Sequence, residues 1–283
     1  MVYEINRDNV LDLHHYFLCF GKEIPYYFPV TFEHWKDSLF DDCDDDGKPL
    51  FSQLKTFVVR RNGRINGFIQ FGVTNFTFDH EGKNYDQFYG VIRNLHYDQD
   101  AETAYMLLDR ATEYFDRMGI EKRYAFFHFF GMRCYAGQGK LHASSFYMED
   151  LLNRYGFIKE HENVYYSKSL INVSPCTSSE IAFSYGNDAH SVSFIRDREK
   201  IGGCELFFVP DLKICYLQLI YIEDKYSHQG LGTKCMNKLF DALRRKGILQ
   251  LDTDTADDNT NAQGYYLKTG FEDKGRMRSY HTI

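Results

Sequence analysis

The sequence has no Cys-x-x-Cys pair, no apolar run of membrane-spanning length and no excess of basic residues. Each absence removes a class of protein. The seven cysteines, at 19, 43, 134, 176, 204, 215 and 235, are an odd set. With no secretory leader at the start, they read most simply as reduced thiols in a cytoplasmic protein. The longest apolar runs, such as YAFFHFF, fall far short of the roughly 20 residues that cross a bilayer, so no membrane partner is expected. A net charge of −7 argues against nucleic acid, because phosphate backbones reward a basic surface. The acidic run DDCDDDGK at 41–48 reads as a solvated loop, with a cation site as the alternative, and no metal is assigned.

What remains is ordinary in bulk, 43% apolar and 26% charged, but rich in rings, with 25 Phe and 22 Tyr. A chain of 283 residues is long enough for one large domain or two small ones. Two copies of one pattern favour the second option. LLDRATEYFDRMGIEKRYAFFHFF, then LLNRYGF, is answered by LFDALRRKGILQLDTDT, then YYLKTGF. Each is a helix closed by glycine, a strand, a loop, a short helix and Gly-Phe opening a last strand. Gly119 and Gly247 stand 128 residues apart and Gly156 and Gly270 stand 114 apart, so the first copy carries an extra loop near 131–145. Hairpins precede both helices, one turning at Asn62-Gly63 and one at RDREK.

Between the strand ICYLQLIYI and a helix marked by Met236, Leu239, Phe240 and Leu243 lies HQGLGT. The helix ends on Arg244-Arg245-Lys246-Gly247, basic residues that complement its exposed carbonyls and a glycine suited to the cap. Neither common phosphate motif fits the loop. Thr233 follows Gly232 where a P-loop needs lysine, and Cys235 stands where the dinucleotide fingerprint needs its third glycine. The physics of an anion site holds nonetheless: amides at a helix N-terminus, unobstructed at Gly230 and Gly232, form a positive nest for a pyrophosphate, and Thr233 adds a hydroxyl.

These residues resemble the GNAT superfamily of acyl-CoA-dependent N-acyltransferases. The pattern is Ser227-His228-Gln229-Gly230-Leu231-Gly232, with serine where Arg or Gln is usual, followed by Asn259, Ala262, Tyr266, Gly270 and Phe271 at the family's spacing. The resemblance covers essentially all of 171–283 and, more weakly, 1–170. It implies an α/β fold of two tandem GNAT-like domains, 1–170 and 171–283, each a mixed, mostly antiparallel sheet flanked by helices. It further implies acetyl-CoA as co-substrate. The loop 227–233 and Asn259 would meet it, and the main chain at Ile220 and Ile222 would pair with the pantetheine arm. Serine at 227 removes one side-chain contact to the cofactor.

Acyl transfer needs a neutral amine, a stabilised oxyanion and a protonated leaving thiolate. The resemblance gives the last task to Tyr266. The family's usual base position is Gln218, which takes no proton; Glu223, Asp224, Glu205 and Asp252 are alternatives that each read as solvated charges, and no base is assigned. In the first copy, aligning LLDRA with LFDAL sets Asp98 against Gly230 and Asp100 against Gly232, and Leu152 takes the Tyr266 place. That half is expected to have lost both cradle and acid. Its rings Tyr26, Tyr27, Phe28 and Trp35 read either as core or as the lining of a cleft.

The expected activity is acetyl transfer to a primary amine of a small molecule or peptide, with acidic net charge favouring a cationic acceptor. A homodimer is compatible with it. The alternatives are a non-catalytic acyl-CoA sensor and a structural protein that binds no CoA.

Overall fold

Asn62 and Gly63 both take positive φ, 51° and 76°, and close the hairpin of Phe51–Arg61 and Arg64–Thr74 that their sequence predicts. Asp197 and Arg198, at φ 51° and 70°, do the same between Ser191–Arg196 and Glu199–Phe208. In this computed structural model, residues 1–40, 43, 47–74, 77–78, 84–85, 88–127, 130–186, 190–209 and 212–283 are described. Most of the acidic run at 41–48 lies outside them. No helix among the described residues is long and apolar enough to cross a membrane.

The chain divides into two units, one of Met1–His161 with Met277–Ile283, the other of Glu162–Arg276. The division falls inside the strand Phe157–Ser169, where the sequence placed a boundary at 170. No glycine, proline or polar cluster marks it, since the strand runs on without a turn until after Ser169.

In the first unit the strands run in the order Val2–Ile5, Phe51–Arg61, Arg64–Thr74, Gly90–Tyr97 and Arg123–Ala125. The chain's last residues follow, with Tyr280 opposite Ala125 and His281 opposite Tyr124. Pairing is antiparallel except between Gly90–Tyr97 and Arg123–Ala125. The helix Ala101–Arg117 joins that parallel pair, as a crossover must, and buries Leu107, Leu108, Ala111 and Phe115 against Ile69, Phe71, Ile92 and Leu95. Tyr26, Phe28 and Trp35 are buried, and Tyr27 stacks on Phe17 at 4.8 Å and on Tyr135 at 4.7 Å. These rings are core rather than a cleft lining. The extra loop is packed as well: Arg93, itself buried, donates to the carbonyls of Phe130 at 2.6 Å and Gly131 at 3.0 Å.

In the second unit Phe157–Ser169 pairs from Asn163 onward with Gln250–Ala256. Ile214–Ile222, Glu199–Phe208, Ser191–Arg196 and Ala182–Tyr185 follow in that order. Among the described residues only Ile214–Ile222 and Gln250–Ala256 are parallel there. Their crossover is the helix Leu231–Arg245, whose Leu231, Cys235, Met236, Leu239, Phe240 and Leu243 close over Val192, Phe194, Cys215, Leu217 and Leu251. Each unit is therefore a mostly antiparallel sheet with one parallel step, and the helix across that step carries the core.

Candidate active site

The parallel step of the second unit is incomplete, and the incompleteness is local. Ile214–Ile222 pairs with Gln250–Ala256 only from Ile214↔Gln250 to Leu217↔Thr253. Beyond that point each strand keeps its outer neighbour alone. Leu219–Ile222 pairs with 202–205, and Asp254–Ala256 pairs with 163–165. The two strands part, and backbone groups that face the gap carry no ladder partner there; a ligand with amide groups finds both donors and acceptors. Gln218 is the extra residue of a bulge at the parting, between the pairs Leu217↔Leu206 and Leu219↔Glu205, and its side chain is exposed. Ile220 and Ile222 lie on the opened stretch, half-buried against the core.

Eight residues, 223–230, connect this strand to the helix. Ser227 is half-buried, His228 and Gln229 are exposed, and Gln229 Nε2 donates to the Lys225 carbonyl at 3.3 Å. Gly230 is the N-cap at φ 73°, so the turn itself needs a glycine there. Gly232 is different. A Cβ at 232 would stand 3.6 Å from Ile222 Cγ1 and from Tyr265 Cε2, ordinary contact distances, so packing does not exclude a side chain. No side chain caps the helix and no acid occupies its first turn, which leaves its first amides to water or to an anion. Thr233 is half-buried beside them, whereas the Leu231 side chain is turned into the core. Tyr265, which the sequence reading passed over, braces the end: its hydroxyl donates to the Gly232 carbonyl at 2.8 Å. Only its place one residue before Tyr266 could have drawn notice.

Asn259 caps the helix Thr260–Lys268, its Oδ1 accepting from the Ala262 amide at 3.1 Å. It acts by holding the helix that carries Tyr265 and Tyr266. The Tyr266 hydroxyl lies 3.5 Å from Thr253 Oγ1, which donates to the Leu217 carbonyl at 2.9 Å. Thr253 and Leu217 are the last parallel pair, so the phenol stands at the apex of the parting strands. Burial raises its pKa, against the Thr253 hydroxyl and with the field of Asp254. It is a protonated donor at neutral pH.

The carboxylates divide differently from expectation. Glu205 and Asp224 are exposed and Glu223 is half-buried within 3.8 Å of Lys225. Asp252, read from the sequence as a solvated charge, is wholly buried, because its strand is covered on both faces. Burial pushes its carboxyl up to about 6 despite donors from Ser167, Gln250 and Tyr165. A carboxyl raised above its unfolded value of 3.8 binds its proton more tightly when folded, so its contribution to stability is full below that value and falls as pH rises to about 6. Asp252→Asn is expected to lack this slope. Thermal unfolding from pH 4 to 7 should show the variant gaining on the natural protein by about 2 kcal/mol.

Among the described residues of the first unit, the corresponding helix start is capped and not open. Three residues, 98–100, join its strand to its helix. Asp100 is the N-cap, so by position it answers Gly230 and not Gly232; the repeat shifts by two residues from the sequence alignment. Its carboxylate accepts from Thr103 N at 3.1 Å and Thr103 Oγ1 at 2.5 Å, and the Thr103 hydroxyl holds it below the usual carboxylate range. The helix already holds an anion of its own. Leu152, in the place of Tyr266, is core.

A sheet opened beside an uncapped helix that crosses its parallel step offers backbone groups to an extended ligand and helix amides to an anion. Residues 150–271 match the model of the Acetyltransferase (GNAT) family, and this stretch is a GNAT acetyltransferase domain. A GCN5-related N-acetyltransferase from Sphaerobacter thermophilus has a TM-score of 0.67 at 10% identity, over 100% of this chain and 95% of its own. A tandem GNAT protein from the clavulanic acid biosynthesis pathway has a TM-score of 0.65 at 11% identity, over 100% and 98%. A GCN5-related glucosamine N-acetyltransferase region of a fungal multi-domain GH3 β-N-acetylglucosaminidase scores 0.66 at 13% identity, over 99% of this chain and 38% of that one. At such identities the likeness is one of fold, that of tandem GNAT proteins. No curated protein matches in sequence.

Proposed function

We propose that the second unit transfers an acetyl group from acetyl-CoA to a primary amine of a small molecule or peptide. The observation that carries this is the parting of the strands at Leu217↔Thr253 with a protonated phenol at the apex and free helix amides at the rim. The main chain at Ile220 and Ile222 pairs with the pantetheine amides. The amides of 228–233, with the hydroxyls of Ser227 and Thr233, take the pyrophosphate, and Asn259 serves through the helix it caps. Tyr266 gives its proton to the sulfur as the C–S bond breaks, a contribution typically worth ~10²–10⁴ in rate. Acetyl-CoA incubated with spermidine, tyramine or a lysine-containing peptide tests this by release of free thiol.

A further inference from the structure

An acceptor that arrives as an ammonium ion is served by a carboxylate near the apex, and of those weighed from the sequence only Asp252 lies there, wholly buried. We propose that Asp254 binds the acceptor as an ammonium ion and takes its proton, an inference that rests on the acetyltransferase reading. Asp254 is the first residue past the last parallel pair, on the stretch that opens. Side chains alternate along a strand, so Thr253 faces the helices with Tyr266 while Asp254 faces the other side of the sheet. Acid and base thus approach one gap from opposite faces. Their proximity shows in the Asp254 field, which raises the Tyr266 phenol.

The Asp254 carboxylate is half-buried and fixed by two donors: Tyr216 OH to Oδ1, and Asn163 Nδ2 to Oδ2 at 2.5 Å. Tyr216 is on the partner strand before the parting and Asn163 on the outer neighbour, so the carboxylate is held from both sides. Donors on both oxygens orient the carboxylate, as a site for a cation requires. Titratable groups around it are Tyr216, its register partner Tyr165 and, two residues back on its own strand, Asp252, with Tyr266 on the opposite face of the sheet. Three are phenols and the fourth is a carboxyl, so this setting favours a positively charged ligand.

The step balances with these groups. One ammonium proton passes to Asp254, and the neutral amine attacks the thioester carbon, forming C–N as C–S breaks. Sulfur takes the Tyr266 proton, the second nitrogen proton returns to the phenolate, and Asp254 releases its proton to solvent.

In Asp254→Asn, acetyl-CoA binding by calorimetry should be unchanged, while kcat/KM for spermidine, tyramine or the lysine peptide at pH 7 should fall a hundredfold or more. The loss should shrink as pH rises toward the amine's own pKa, because free amine then needs no base; a merely structural defect would lower the rate equally at every pH. Tyr216→Phe removes one donor to the carboxylate and should move the acid limb of the profile up by about one pH unit. A loss below threefold, a loss independent of pH, an unmoved acid limb in Tyr216→Phe, or weakened acetyl-CoA binding in a folded Asp254→Asn would each overturn the assignment. A natural protein that binds acetyl-CoA and acetylates none of the three amines defeats the enzyme reading first, and this inference with it.

Discussion

Gly232→Asp is expected to bring acetyl-CoA binding from one molecule per chain to none measurable, while the fold is kept or slightly strengthened. Two effects of opposite sign meet at this position. For the protein alone, the added Cβ finds ordinary contacts with Ile222 and Tyr265, at 3.6 Å. A carboxylate in the first turn also favours a helix that has no acid there, by about 0.3–1 kcal/mol. For the ligand, the same carboxylate sits among the amides that would hold a pyrophosphate. Like charges so placed cost several kcal/mol, and each 1.4 kcal/mol is tenfold in affinity. Calorimetry should show at least a hundredfold weaker binding, with a melting temperature no lower than that of the natural protein. The first unit displays the principle already: Asp100 caps its helix well and fills the anion's place.

Tyr266→Phe is the second large effect and separates chemistry from binding. The hydroxyl makes one long contact, 3.5 Å to Thr253, so its removal takes little from the fold. The ring keeps its edge contact with Phe271 at 5.3 Å and its place beside Tyr166 at 5.5 Å. Only a proton donor at the apex is lost. Steady-state rates should fall ~10²–10⁴-fold with acetyl-CoA affinity unchanged. Turnover within threefold of the natural protein would remove the phenol from the mechanism, and another acid would have to be sought near Leu217 and Thr253.

The comparison of sequence and structure separates local signals from those set by register. HQGLGT and its helix were legible because glycine, helical periodicity and a basic last turn are all local. The hairpin at Asn62-Gly63 was legible for the same reason. Asp254 was not. LDTDTAD places acids at alternate positions, and which of them passes the last parallel pair depends on where Ile214–Ile222 lies alongside, a partner far away in sequence. Asp252 was misjudged on the same ground, since burial of a strand on both faces is a tertiary fact. Asn259 carries a plain capping signal, yet the family spacing drew it toward the cofactor. The two helices of the repeat were overlaid two residues out of step because the match of LLDRA with LFDAL fixes the helix bodies and not where each helix begins. N-caps at Asp100 and Gly230, settled only by backbone geometry, remove the ambiguity.

Release of free thiol from acetyl-CoA, followed with and without a primary amine, tests the central claim most directly. Spermidine, tyramine or the lysine peptide should accelerate release, with one amide formed per thiol and no acceleration in Tyr266→Phe. Acetyl-CoA bound at Gly232 with no amine-dependent release would make the protein a sensor of the thioester, and the account of Tyr266 as its acid would be wrong.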